Sequence, residues 1–238
     1  MNHKINTKKG FTLIEVLTVI AILAILGAII FPTVGQFRTL AKKSSDSSDL
    51  RDIVQASLLF ASQNGERLVG PEQTLETTGV ETTGENDLVD VAAVLAFAAD
   101  LYDPKVWVSA NETDRLTGNG GLYTGNLADG NLTTSLQFSP DQFSYAYVVG
   151  LNTFDSATTP VVYTRQSGTG GQWGPGDPYS TEGGHVAFLG GNVNWYEDLA
   201  NQLIDPNGGA VGTIDAAVGA TETSTRAIRE PVATGTGG

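Results

Sequence analysis

The sequence predicts an α+β fold in which one long N-terminal helix packs its distal half on a small antiparallel β-sheet domain. Three observations predict it. Sixteen residues from Val16 to Phe31 carry no charge, helical periodicity continues beyond them to about Asn64, and β-branched and aromatic residues gather in short runs after Phe143. The 238 residues include no cysteine, so no disulfide staples the fold.

The first element follows from length. About 20 helical residues at roughly 1.5 Å rise cross the hydrocarbon of a bilayer, and Phe11 to Phe31 is a stretch of 21. Lys4, Lys8 and Lys9 precede it and predict a cytoplasmic N-terminus, with the rest of the chain carried across the membrane. Glu15 is the exception within this stretch, because a carboxylate in hydrocarbon is costly unless it finds a partner. Cleavage after Gly10 would give Phe11 a free α-amino group one helical turn from Glu15. An ordinary secretory signal would instead show a shorter apolar region followed by a small-residue cleavage site, and no glutamate near its start.

The run Lys8-Lys9-Gly10-Phe11-Thr12-Leu13-Ile14-Glu15 resembles the class III signal of type IV prepilins and type II secretion pseudopilins. The resemblance covers the first thirty or so residues and implies a pilin-like fold. It also implies that a prepilin peptidase cuts between Gly10 and Phe11 and methylates the new N-terminus at Phe11. Glu15 would then pair with the terminal amine of a neighbouring subunit in a filament. The implied partners are further copies of the chain, other pilins or pseudopilins, and an inner-membrane assembly platform. Gly27 and Pro32 mark a weak point in the helix, since proline removes a backbone donor and glycine costs about 1 kcal/mol relative to alanine. In related filaments the helix unwinds in the stretch ending at this proline. The expectation is a segment from Gly27 to Pro32 that is intact in the monomer and loosened on assembly.

Beyond Thr33 the helix becomes amphipathic. Val34, Phe37 and Ala41, then Leu50, Ile53, Val54, Ser57, Phe60 and Ala61, recur at helical spacing and predict a face packed on a globular domain. Lys42, Lys43, Asp46, Asp49, Arg51 and Asp52 read as the wet face, with a local break conceivable at Asp49. Asn64-Gly65 is the stop signal. A helix of about 50 residues would be about 75 Å long. The chain then divides into a leader (1–10), a transmembrane and assembly helix (11–32), an amphipathic half of the same helix (33–64), an ectodomain (65–204) and a flexible tail (205–238).

Within the ectodomain, Glu66 to Asp87 lacks a period and reads as a loop. Asp87 to Asp100 reads as a second helix through Leu88, Val91, Ala92, Leu95 and Ala99, with Asn86 or Asp87 as N-cap. Lys105 to Val108 reads as a short strand and Asn111 to Asn131 as a long loop. Strands are expected at Phe143–Val149, Val161–Thr164, His185–Leu189 and Val193–Tyr196. The last two should form a hairpin around Gly190-Gly191-Asn192. The glycine-rich stretches 118–125 and 168–176 are loops, because neither follows a strand and opens a helix as a phosphate cradle must. Beyond Asp205-Pro206 the Gly, Ala and Thr content predicts a mobile tail.

A second resemblance lies in this region. The order of helix, Asp103-Pro104-Lys105-Val106-Trp107, Ser144-Tyr145-Ala146-Tyr147 and the run Gly183 to Val193 resembles ectodomains of pilin-like proteins from planctomycete and verrucomicrobial lineages. Those end in a strand pair with a histidine and an Asp-Gly turn. Here Gly190-Gly191 replaces the Asp-Gly.

Charge and residue types narrow the function. The formal charge is -13, with 13 basic and 26 acidic residues, which argues against nucleic acid as a partner. Without the three leader lysines the balance falls to 10 basic against 26 acidic. No enzyme is expected, since the histidines are His3 and His185 alone and no G-x-S-x-G elbow is present. His185 between strand residues reads as a packing residue. No cofactor is required. Calcium is possible because major pseudopilins bind it in a C-terminal loop, and Asp155, Asp177, Glu182, Glu197 and Asp198 lie in the corresponding part of this chain. Asn111-Glu112-Thr113 and Asn131-Leu132-Thr133 fit the short glycosylation pattern.

The reading these features favour is a major, G-like subunit of a type II secretion pseudopilus, anchored first in the inner membrane and then assembled into a periplasmic filament. The absent cysteines support it, since many adhesive pilins close their C-terminal region with a disulfide. A type IV pilus subunit for adhesion or motility, reaching the cell surface, is the alternative. A single-pass anchored binding protein that never polymerises is the alternative of another class.

Overall fold

The computed structural model describes residues 11–70, 88–115, 123–126, 131–134, 140–220 and 226–231. The chain divides into two compact units, Met1–Ala41 and Lys42–Gly238. Helix α1 (Leu13–Gln63) accounts for nearly all of the described first unit and opens the second. It has no break at Asp49, and it runs unbroken through Gly27 and Pro32. The intact helix through this segment is the one expected of the single chain.

In the first unit the large apolar side chains stand in the open, with Phe11 at 84% and Leu13 at 82% exposure. Leu13–Ile30 has a mean hydropathy of 2.9 and none of it is buried. Among the described residues this is the one helix long and apolar enough to cross a membrane.

In the second unit α1 buries the later part of the expected stripe: Leu50, Ile53, Val54, Ser57, Phe60 and Ala61 are all closed to solvent. Its earlier part is corrected, because Val34, Phe37 and Ala41 are exposed rather than packed on a domain. The helix stops as its sequence dictates. Gly65 takes a left-handed φ of 64°, the Glu66 N–H returns to the Ala61 carbonyl at 2.9 Å, and the Asn64 side chain donates to the Phe60 carbonyl. Helix α2 (Leu88–Ala99) is buried from Leu88 to Ala96, which suits its nearly continuous apolar sequence.

Two short strands, β1 (Tyr123–Asn126) and β2 (Asn131–Thr134), pair as a separate hairpin. The main sheet is antiparallel throughout. It contains β3 (Tyr145–Val149), β4 (Pro160–Thr164), β5 (Gly184–Phe188), β6 (Val193–Tyr196) and, from the C-terminal segment, β9 (Ala227–Arg229), in the order β6-β5-β4-β3-β9. Every residue of β3, β4 and β5 is buried, so both faces of the central strands are covered and their sequences run apolar without alternation. Pro160 opens β4, where its missing N–H is tolerated, and the register with β5 shifts just after it.

Four further expectations need correction. Lys105–Val108 is no strand: Pro104–Trp107 forms a 3-10 turn, with the Asp103 carboxylate accepting the Lys105 N–H at 2.9 Å. The Asp-Pro pair supplies both the cap and the fixed φ that a helical start wants. The loop expected from Asn111 to Asn131 contains a 3-10 turn at Thr113–Arg115 and the strand β1. The tail from 205 is not featureless, because β8 (Ala210–Val211) pairs with β7 (Leu203–Ile204). After it comes α3 (Ile214–Val218), capped by the Thr213 hydroxyl, which buries Ile214, Ala217 and Val218 at helical spacing. The segment ends in β9 on the open edge of β3. The fourth correction concerns Asp46, which is not on a wet face and has no solvent exposure.

Candidate functional site

Two places on α1 carry the chemistry. The first is its N-terminus. Lys4, Lys8, Lys9 and Gly10 lie outside the described residues. Phe11 and Thr12 precede the helix, and Thr12 is its N-cap. The Thr12 N–H and hydroxyl both donate to Glu15 Oε2, at 2.8 and 2.6 Å, and the Glu15 N–H returns to the Thr12 hydroxyl oxygen at 3.4 Å. This is a capping box, with Thr at the cap and Glu three residues on. The reading of the sequence passed over it, although Thr12-x-x-Glu15 is its plain signature. The Glu15 carboxylate therefore has internal hydrogen-bond partners before any second chain arrives. Beyond it the apolar side chains to Ile30 are exposed, and the surface they offer suits hydrocarbon or other helices.

The second place is the seat of α1 in the ectodomain. Asp46 accepts from the Ser109 hydroxyl at 2.5 Å, the Ala110 N–H at 2.8 Å and the Tyr179 hydroxyl at 2.9 Å. The donors come from the segment after the Pro104–Trp107 turn and from the loop before β5. One buried carboxylate thus ties two loops to the helix, and satisfying it this fully is the condition for burying it. One turn earlier, the Lys43 ammonium lies 3.5 Å from the centre of the Trp195 ring and 3.5 Å from Glu182. The Lys42 ammonium donates to the Asn111 side chain, which in turn donates to the Pro178 carbonyl.

The loop that carries Tyr179 is shaped by Gly183 and Gly184. Gly183 has φ of 125°, and a Cβ there would meet the Tyr196 carbonyl oxygen at 2.1 Å. A Cβ on Gly184 would meet the Trp173 ring at 2.4 Å. His185 follows them, edge-on to Trp195 with centroids 4.9 Å apart and to Tyr179 at 6.2 Å. Burial, aided by the Lys43 charge, pushes its imidazole down to about 4, so it is neutral and packed at ordinary pH, as the sequence reading has it.

The five carboxylates considered for calcium do not converge. Asp155 pairs with Arg226 at 2.5 Å. Asp177 accepts the Ser167 and Gly174 N–H groups. Glu182 faces Lys43, Asp198 accepts the Ala200 N–H, and Glu197 is exposed. Among the described residues no group of three or more His, Cys, Asp or Glu side chains is placed to hold a metal ion.

The first unit thus offers an exposed apolar helix long enough to cross a membrane, with a capped carboxylate at its start, and the second unit is a folded α+β domain. Comparison with protein families agrees at the N-terminus: the prokaryotic N-terminal methylation motif matches residues 5–31. That motif is the signature of type IV pilins and pseudopilins, and this chain carries it. It implies processing by a prepilin peptidase and assembly with other pilins, and it points to a structural protein. No curated protein and no solved structure matches the chain. The ectodomain resemblance to planctomycete proteins therefore rests on sequence pattern alone.

Proposed function

We propose that this chain is a subunit of a type II secretion pseudopilus of the major, G-like kind, which polymerises through its N-terminal helix to support export of folded proteins. The observation that carries the filament part is the exposed apolar helix with one carboxylate, Glu15, three residues past its N-cap. Stored in the inner membrane, that helix meets lipid; extracted into a bundle, the same surface meets sister helices, and a charge pair from Glu15 to a neighbouring terminal amine sets register. The acidic balance and the absence of cysteine support the secretion branch.

The test is the secreted proteome of a deletion strain beside its parent. Loss of a set of folded exoproteins, with their accumulation in the periplasm, is the expected result. An unchanged secretome would move the protein to a surface type IV pilus for attachment or movement.

A further inference from the structure

Three aspartates lie one turn apart on α1, and they enter the ectodomain to different depths. Asp46 is closed to solvent, Asp49 is half-buried and Asp52 is exposed. Asp46 has three donors, as described above. Among the described residues Asp49 makes no hydrogen bond and no ion pair, and the charges that face it are carboxylates: Asp46 and Asp52 from its own helix and Asp103 from the cap of the 3-10 turn. Lys43 is held by Trp195 and Glu182, and Lys42 by Asn111. Arg51, two residues along, points away around the helix. From β3 the fully buried Tyr145 hydroxyl is turned toward Asp46 and lies close to Asp49. From the loop before β5, Tyr179 donates to Asp46, with neutral His185 behind it.

A half-buried carboxylate among like charges, with no cation and no donor, is an anion the fold is poorly built to hold. The protonated acid suits the same place, since it removes the repulsion and gains an O–H to share. We propose that Asp49, backed by Asp46, is a proton-operated latch: protonated, it lets α1 sit closed against the Asp103 turn and β3, and ionised, it loosens that seat. Burial first, and then Asp46, Asp52 and Asp103, push the Asp49 carboxyl up to about 7; burial pushes Asp46 up as well. A carboxyl whose folded pKa lies above its unfolded value near 4 favours the fold most at low pH. That contribution falls away from about pH 4, where the unfolded carboxyl ionises, and is gone once pH passes about 7. On the proposed topology the seat lies beyond the inner membrane, where pH follows the medium, so the grip on the helix would follow it too. Only this use of the latch rests on the filament reading; the latch itself belongs to the isolated chain.

The experiment is thermal unfolding of the full-length protein in detergent at pH 5.5 and pH 8.5, for the parent, Asp49→Asn and the control Glu197→Gln, which removes an exposed carboxylate that is not among those facing Asp49. The parent and Glu197→Gln should lose several degrees of Tm between the two pH values. Asp49→Asn should exceed the parent at both values, and by clearly more at pH 8.5, because the unfolded chain has already ionised at pH 5.5. Parallel profiles for the parent and Asp49→Asn, or a parent Tm that rises with pH, would overturn the proposal. Amide exchange of residues 46–61 in the unaltered protein, corrected for intrinsic rates, reads the latch without any substitution. Faster opening of these amides at pH 8.5 is expected, and equal protection at both pH values would refute it.

Discussion

Glu15 and Asp46 are two carboxylates on one helix, each in surroundings that penalise a bare charge. Asp46 is satisfied for good, by three donors from its own domain. Glu15 is satisfied by a cap that a competing cation can displace, since Thr12 is a neutral donor at the helix end, and a charged amine makes the stronger hydrogen bond. Glu15→Ala should therefore leave membrane insertion intact and even favour it. An interfacial charge pair lost at each joint costs about 2 kcal/mol or more, so sheared filaments of this variant should fall below detection. Filaments assembling at parental yield would mean that Glu15 serves only in the capping box with Thr12. The processing and pairing roles expected of Gly10, Phe11 and Glu15 come from the sequence alone, which sets one charge in a charge-free run. The burial of Asp46 was not, because helical spacing places it among Lys42, Lys43 and Asp49, and nothing local says that Ser109 and Tyr179 arrive from 63 and 133 residues away.

At the scale of elements, periodicity predicted what local residues decide. The α1 stripe from Leu50 to Ala61 and the central strands β3, β4 and β5 are continuous or periodic apolar runs, and each forms where its pattern puts it. Lys105–Val108 has the β-branched and aromatic content of a strand, but Asp103-Pro104 ahead of it caps and starts a 3-10 turn instead. The C-terminal segment failed because Gly and Thr content hid the Ile214, Ala217, Val218 triplet and the three residues of β9, which bond to an edge no local signal reveals. That strand is held by Arg226 on Asp155 and by the Tyr163 hydroxyl on Glu230. Ending the chain after Ala220 should expose the buried edge of β3. We expect a Tm about 5–10 °C lower for the full-length protein in detergent, together with self-association through the open edge. A truncated protein that stays monomeric with an unchanged Tm would show that β9 contributes nothing to the sheet.

The whole molecule joins a generic part to a particular one. The N-terminal segment is what the methylation motif recognises, and it ends at residue 31. The second unit, with its five-stranded sheet, lies outside that motif. The account depends on the generic part being processed as its motif implies, because an uncut leader would leave Phe11 without the amine that Glu15 is to meet. The intact mass of the protein extracted from membranes of its own host tests this most directly. A chain beginning at N-methylated Phe11 is the predicted result; a chain that retains residues 1–10 in the mature, assembled fraction would contradict the account.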